Sequence, residues 1–98
     1  HGVYLVRKGR RTVLAAPDGR LAVNTTGNDG MAKGGSGDVL TGLLASLLAQ
    51  GTEPFAACCA AVWLHGRAGD LAAMEKGHRG MTPVDMIEKL PYALKEVE

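Results

Sequence analysis

Residues 27–38 read Gly27-Asn28-Asp29-Gly30-Met31-Ala32-Lys33-Gly34-Gly35-Ser36-Gly37-Asp38, and directly after them the apolar positions fall into a helical period. Gly34, Gly35 and Gly37 carry no Cβ, so the backbone there can take positive φ and lie close against a ligand. A helix that begins at this point leaves its first N–H groups unpaired, with the positive end of its dipole beside them. Together these features make a pocket for an anion, most often a phosphate. The plainer alternative is a glycine-rich turn that merely joins strand to helix, although a connector rarely needs three glycines in the four positions 34–37. Lys33 precedes the glycine pair, so no GxxxxGK[ST] register fits, and no GxGxxG follows the first strand.

Asp38 is the candidate catalytic residue. An acid in the first turn of a helix is favoured by the dipole, by roughly 0.3–1 kcal/mol. If the preceding amides hold a phosphate, however, a carboxylate beside them repels it and needs a further reason to be there. A general base supplies one: it accepts a proton from a substrate hydroxyl as that oxygen attacks a phosphoryl group, while the amides stabilise the charge on the transferred oxygens. Residue types alone leave the base and the helix-capping acid both open.

Other side chains have blander readings. Lys8, Arg10 and Arg11 form a basic turn, which is either solvated or turned toward nucleotide phosphate. Lys33 is a supporting candidate for phosphate. His65 lies in an apolar helix and reads as a packed core histidine, while His1 and His78 have no context. Met31 is expected to pack the loop against the sheet, and Trp63 to lie in the core or at a subunit interface. Asn28 either caps the turn or holds a ligand. Asp70, Glu75 and Glu88 fall at solvent-facing helix positions, and none pairs with Asp38 by spacing.

The elements that must position these residues follow from the pattern. Residues 3–6 and 12–16 are short β-branched runs joined by a basic turn, and residues 20–24 alternate as a third strand after Pro17-Asp18-Gly19. Residues 25–37 form a loop that is long against the ~4–6 residue median. From Asp38 to Gly51 an apolar stripe marks a helix, and a second runs from near Pro54 to about Lys76, apolar on nearly every face and therefore central. Thr82 before Pro83 opens a third helix, interrupted or restarted at Pro91. The class is α/β, one continuous piece over residues 1–98 with no internal boundary.

Composition bounds the function. The chain has 98 residues, 46% hydrophobic and 21% charged, with a formal net charge of +1, which excludes a disordered chain and argues against nucleic acid as a partner. Its longest apolar run, residues 55–64, is far short of the ~20 needed to span a bilayer, so no membrane partner is expected. With no secretory pattern in view, a cytoplasmic location is the expectation. Cys58 and Cys59 are adjacent, unsuited to a disulfide or a metal pair, and read as small buried thiols in a reducing compartment. An α/β enzyme domain with a cleft usually exceeds ~100 residues, so the chain is expected to be part of a domain. The apolar stretch 56–64 is either wholly internal or the contact of a homo-oligomer.

The run Gly-Asn-Asp-Gly-Met-Ala-Lys-Gly-Gly-Ser-Gly-Asp-Val-Leu-Thr-Gly at 27–42 resembles the signature of the nucleotide-dependent NAD(P)H-hydrate dehydratases, a carbohydrate-kinase-like family in the ribokinase superfamily. Lys8-Gly9-Arg10-Arg11-Thr12 is similar to that family's Lys-Gly-x-x-Thr turn, and Leu48-Ala49-Gln50-Gly51 and Leu64-His65-Gly66 are similar to its central helices. The resemblance implies the C-terminal portion of a ribokinase-like three-layer sandwich, completed by the N-terminal remainder of the domain. It implies that the hydroxyl of hydrated NADH or NADPH is phosphorylated by ADP or ATP with Mg²⁺ assisting, and that phosphate is then eliminated. Lys8 to Thr12 and Asn28 to Gly37 would line the nucleotide, and Asp38 would contact the hydrate and act as base. Mg²⁺ would bridge phosphate oxygens with few protein ligands. The rival readings are a small-alcohol kinase of the hydroxymethylpyrimidine or thiazole type and a non-catalytic half domain.

Overall fold

The computed structural model describes the backbone of residues 4–8, 11–31 and 34–98, and the side chains of 11–28, 30, 31 and 34–98. Strands β1 (Tyr4–Lys8), β2 (Arg11–Ala15) and β3 (Leu21–Asn24) form an antiparallel sheet in the order β1-β2-β3. The Pro17-Asp18-Gly19 signal makes the β2–β3 turn, with Gly19 at φ 94°. Its ends are closed by Gly19 N–H to Ala16 O (3.0 Å) and Ala16 N–H to Arg20 O (2.9 Å). Thr12 stands opposite Asn24. The paired Lys8 and Arg11 therefore lie at the sheet end where the chain leaves β3.

The helices are α1 (Ser36–Ala49), α2 (Pro54–Gly80) and α3 (Pro83–Val97). Helix α2 is central, as its all-round apolarity predicts, and touches β3, α1 and α3. Its start is fixed by Glu53, whose side chain accepts from Ala56 N–H (3.0 Å) and meets the Arg20 guanidinium at 2.9 Å. Arg20 also lies 4.8 Å from the Phe55 ring centroid. The bonds from Arg20 first, and from Ala56 N–H second, hold the Glu53 carboxyl down to about 2. Gly77, at φ 78° and ψ 165°, breaks the helical path of α2, which explains why the pattern stops near Lys76. Thr82 caps α3 in a reciprocal box with Asp85, as its Thr-Pro start predicts.

Some expectations are corrected. Helix α1 begins at Ser36, two residues before Asp38, because Gly35 takes the left-handed cap conformation. Helix α3 continues through Pro91 rather than restarting. Proline lacks the N–H that would bond Ile87 O, but both residues are exposed, so water can serve that carbonyl. The loop contains a 3-10 turn at Asp29–Met31. Met31 packs with Ala72, Met81 and Met86 on the helical side, not against the sheet. Cys58 and Cys59 are half-buried rather than buried, and desolvation pushes both thiols upward. No helix among the described residues is long and apolar enough to cross a membrane.

Leu14, Ala57, Ala61, Val62, Leu64 and Ala68 are buried along the α2 interfaces. Small residues on α2 let its neighbours come close, and Gly66 sets the limit: a Cβ there would stand 2.1 Å from Thr26 Oγ1 and 2.7 Å from Thr26 C. Gly42, in the exposed middle of α1, has nothing within 4 Å of the same added atom. The same substitution should therefore act with opposite sign at the two sites. Gly66→Ala is expected to lower stability by about 1–3 kcal/mol through overpacking, and Gly42→Ala to raise it by about 0.5–1 kcal/mol through helix propensity. Urea unfolding checks both, and equal shifts for the two variants would contradict the close approach at Gly66.

Candidate functional site

The site is built where the loop after β3 enters α1. Gly35 is the N-cap of α1, at φ 93° and ψ −16°, and has no side chain with which to cap the helix. The hydrogen-bond ladder starts with Val39 N–H to Gly35 O (3.3 Å). The N–H groups of Ser36, Gly37 and Asp38 therefore have no partner within the helix and point out of its positive end.

The candidate glycines separate by role. Gly35 is required by its positive φ and by Pro83, whose Cγ would lie 3.3 Å from a Cβ at this position. Gly34 and Gly37 have φ outside the left-handed region, and an added Cβ at either meets no described atom within 4 Å. Neither conformation nor packing among the described residues accounts for them. Gly37 even lowers helix propensity in the first turn. The absent side chains leave room there for a close-lying group.

Asp38 is exposed beside these amides. It lies at the mouth of an apolar groove between α1 and α3, lined by Gly35, Val39, Leu43, Pro83, Ile87 and Leu90. A ligand reaching Asp38 would thus have an anion hole on one side and an apolar wall on the other. Arg11 and Thr12 open β2, at the sheet end where the loop departs. Gly9, Arg10, Ala32 and Lys33 lie outside the described residues, as do the side chains of Lys8 and Asp29.

The loop is held by helix α2. Thr26 Oγ1 donates to Trp63 O (3.1 Å), and Gly27 N–H donates to Asp70 Oδ2 (3.0 Å). Asn28, only 5% exposed, donates through Nδ2 to Asp70 Oδ1 (3.0 Å), while its Oδ1 accepts from Gly30 N–H (2.9 Å). Asn28 thus caps the turn, which was one of its two open readings. Asp70 is corrected: it faces the loop, not solvent, and its carboxylate spans two loop donors. Helical periodicity could not reveal this, because its partners lie about forty residues earlier in the chain. Farther along, Gly69 admits Met31, whose Sδ would stand 2.4 Å from an added Cβ. Gly30 presses on the end of α2, where a Cβ would stand 2.4 Å from His78 O.

His65, read from the sequence as a packed core residue, is half-buried and lies against the start of α1. Trp63 is also half-buried and lines an apolar trough with Leu14, Ala22, Val23, Cys59 and Val97. Val23 and Val97 are among the exposed large hydrophobics on this face. Among the described residues no group of three or more His, Cys, Asp and Glu side chains could hold a metal ion.

Several known proteins are similar to the chain in sequence and shape. The family described as NAD(P)H-hydrate dehydratase matches residues 2–92. A bifunctional NAD(P)H-hydrate repair enzyme of Moorella thermoacetica is 51% identical over 94 residues, covering 96% of this chain and 18% of that protein. An ADP-dependent (S)-NAD(P)H-hydrate dehydratase of Neisseria meningitidis is 50% identical over 76 residues, covering 78% of this chain and 26% of that protein. The solved ADP/ATP-dependent NAD(P)H-hydrate dehydratase from Bacillus subtilis, co-crystallized with ATP and Mg²⁺, superposes with a TM-score of 0.85 at 39% identity, over 95% of this chain and 34% of that one. The chain therefore spans between about a fifth and a third of these relatives, and its α/β fold is that of a part of the carbohydrate-kinase-like dehydratases.

The Asp70 bridge yields a direct test. Asp70→Ala strands the Gly27 N–H and the Asn28 amide, each costing about 1–3 kcal/mol if left unpaired, whereas Asp70→Asn keeps one acceptor and is expected to cost less. Amide hydrogen exchange should speed up at Gly27 and Gly30 in the alanine variant. Unchanged exchange at both would show that Asp70 does not hold the loop.

Proposed function

Because the chain belongs to the NAD(P)H-hydrate dehydratase family, we propose that it carries the nucleotide-phosphate site and the catalytic base of an ADP- or ATP-dependent dehydration of hydrated NADH or NADPH, a cytoplasmic repair reaction. The observation that carries this reading is the start of α1. The N–H groups with which it opens, and the space that the described residues leave over Gly34 and Gly37, stand beside the exposed Asp38 carboxylate.

The chemistry follows from that placement. Asp38 accepts the proton of the hydrate's hydroxyl as the hydroxyl oxygen bonds to the terminal phosphorus of the nucleotide and the bond to the nucleotide's bridging oxygen breaks. The amides of Ser36, Gly37 and Asp38 face the phosphate oxygens, where negative charge is spread in the transition state. Asn28 acts behind the loop by holding its turn. Lys8 to Thr12 and the remaining residues of 28–37 complete the nucleotide contacts. The C–O bond of the phosphorylated hydroxyl then breaks and phosphate departs with the bonding pair, and loss of a proton from the neighbouring ring carbon restores the double bond of the reduced nicotinamide. Mg²⁺ bound with the nucleotide would supply charge neutralisation for the phosphoryl transfer, and would ask few carboxylate ligands of this chain.

We assign the trough around Trp63 to contact with the remainder of the domain, which the relatives carry and which would supply the rest of the hydrate pocket. This reading accounts for exposed Val23 and Val97 on one face.

The test takes the longest natural polypeptide containing this segment, with hydrated NADH, Mg²⁺ and either ADP or ATP, and follows recovery of reduced-nicotinamide absorbance. Recovery is expected with one donor and should fall about 10²–10⁴-fold in Asp38→Asn, the usual loss when a general base is removed. A stable phosphomonoester would instead point to a small-alcohol kinase, and failure to bind either nucleotide to a non-catalytic half domain.

A further inference from the structure

Ser36, the first residue of α1, is 6% exposed, and its inner side is turned to His65 and Met86. The His65 Nε2 lies 2.9 Å from Ser36 O and 3.2 Å from Ser36 Oγ. A carbonyl oxygen has no proton to give, so Nε2 must carry one and donate it. The Ser36 hydroxyl can then accept from the same N–H and turn its own proton toward Met86 Sδ, 3.9 Å away.

The carbonyl so held belongs to the peptide unit that ends in Gly37 N–H. That unit is planar and trans, with C=O and N–H pointing in opposite directions. Fixing the oxygen therefore helps to fix where the Gly37 N–H points, beside the helical bond that the same carbonyl accepts, Ser36 being the first residue of α1. A hydrogen bond accepted by the carbonyl also polarises the amide and makes its N–H a stronger donor.

We propose that His65 is a positioning residue for the anion-binding start of α1, aiming the Gly37 N–H at the nucleotide phosphate through the Ser36–Gly37 peptide. It touches neither nucleotide nor hydrate, and its contribution rests on the nucleotide-site reading above. His65→Gln keeps an N–H donor near the place of Nε2, whereas His65→Leu fills the space without one.

The experiment uses the intact protein and ADP as the probe, with three readings. The imidazole ¹⁵N spectrum at about pH 8, above the usual histidine range, should show the Nε2–H tautomer. The Gly37 amide resonance should move in His65→Leu and stay in His65→Gln. The dissociation constant for ADP should rise about tenfold in the leucine variant, the size expected from losing the alignment of one donor to a charged group, and less than threefold in the glutamine variant. An Nδ1–H tautomer overturns the proposal even if the leucine variant fails to fold, and so does equal loss of ADP binding in the glutamine and leucine variants. Wild-type binding of ADP with an unaltered leucine variant overturns this inference alone. A wild type that binds no ADP overturns the nucleotide reading and this inference with it.

Discussion

The rest of the structure depends on how closely helix α2 approaches the chain that leaves β3. At Gly66 and Gly69 there is no room for even a methyl group, because Thr26 and Met31 occupy the space. From Arg20 to Gly30 the chain follows α2 from its first turn to its last: Arg20 meets Glu53, Thr26 meets Trp63 and Gly66, Gly27 and Asn28 meet Asp70, and Gly30 meets His78. A loop of this length would otherwise have many conformations. Pressed along a helix and bonded to it at Trp63 and Asp70, it has few.

The functional placement inherits that order. Helix α2 meets the loop through Asp70 near its entry and through His65 at its exit, where α1 begins. The amides of α1 are thus held by buried contacts on one side and left open on the other. Buried Asn28 and Ser36 belong to the held side, and exposed Gly34, Gly37 and Asp38 to the open side. The division is consistent with a site in which rigid donors meet a charged group that arrives from outside.

Much of this was legible in the residues. Strand, turn and cap signals are local, so the β2–β3 turn at Gly19, the Thr82 cap and the central character of α2 could be read directly. The motif at 27–38 located the candidate site, and its spacing alone separated it from other phosphate loops. What could not be read was the partner of each polar side chain. Asp70 sits on a helix like any surface acid, and its role depends on residues far earlier in the chain. His65 is spaced like a core residue, yet its ring nitrogen reaches a backbone carbonyl. The start of α1 was misplaced by two residues because glycine carries no apolar signal, although Gly35 provides the conformation that starts the helix. Pro91 misled for a related reason: whether proline breaks a helix depends on whether the orphaned carbonyl faces water.

The close contact between α2 and the loop also bears on how such a chain can change over time. Met31 opposite Gly69 is a trade of side-chain volume, whereas at Gly66 the backbone of Thr26 itself stands in the way, so that glycine has no compensating change in the loop. A larger residue at 69 is best accommodated when a smaller one appears at 31, and either change alone costs stability. Segments about forty positions apart would then drift together as a single inherited unit, while the open residues beside Asp38 answer to the ligand instead.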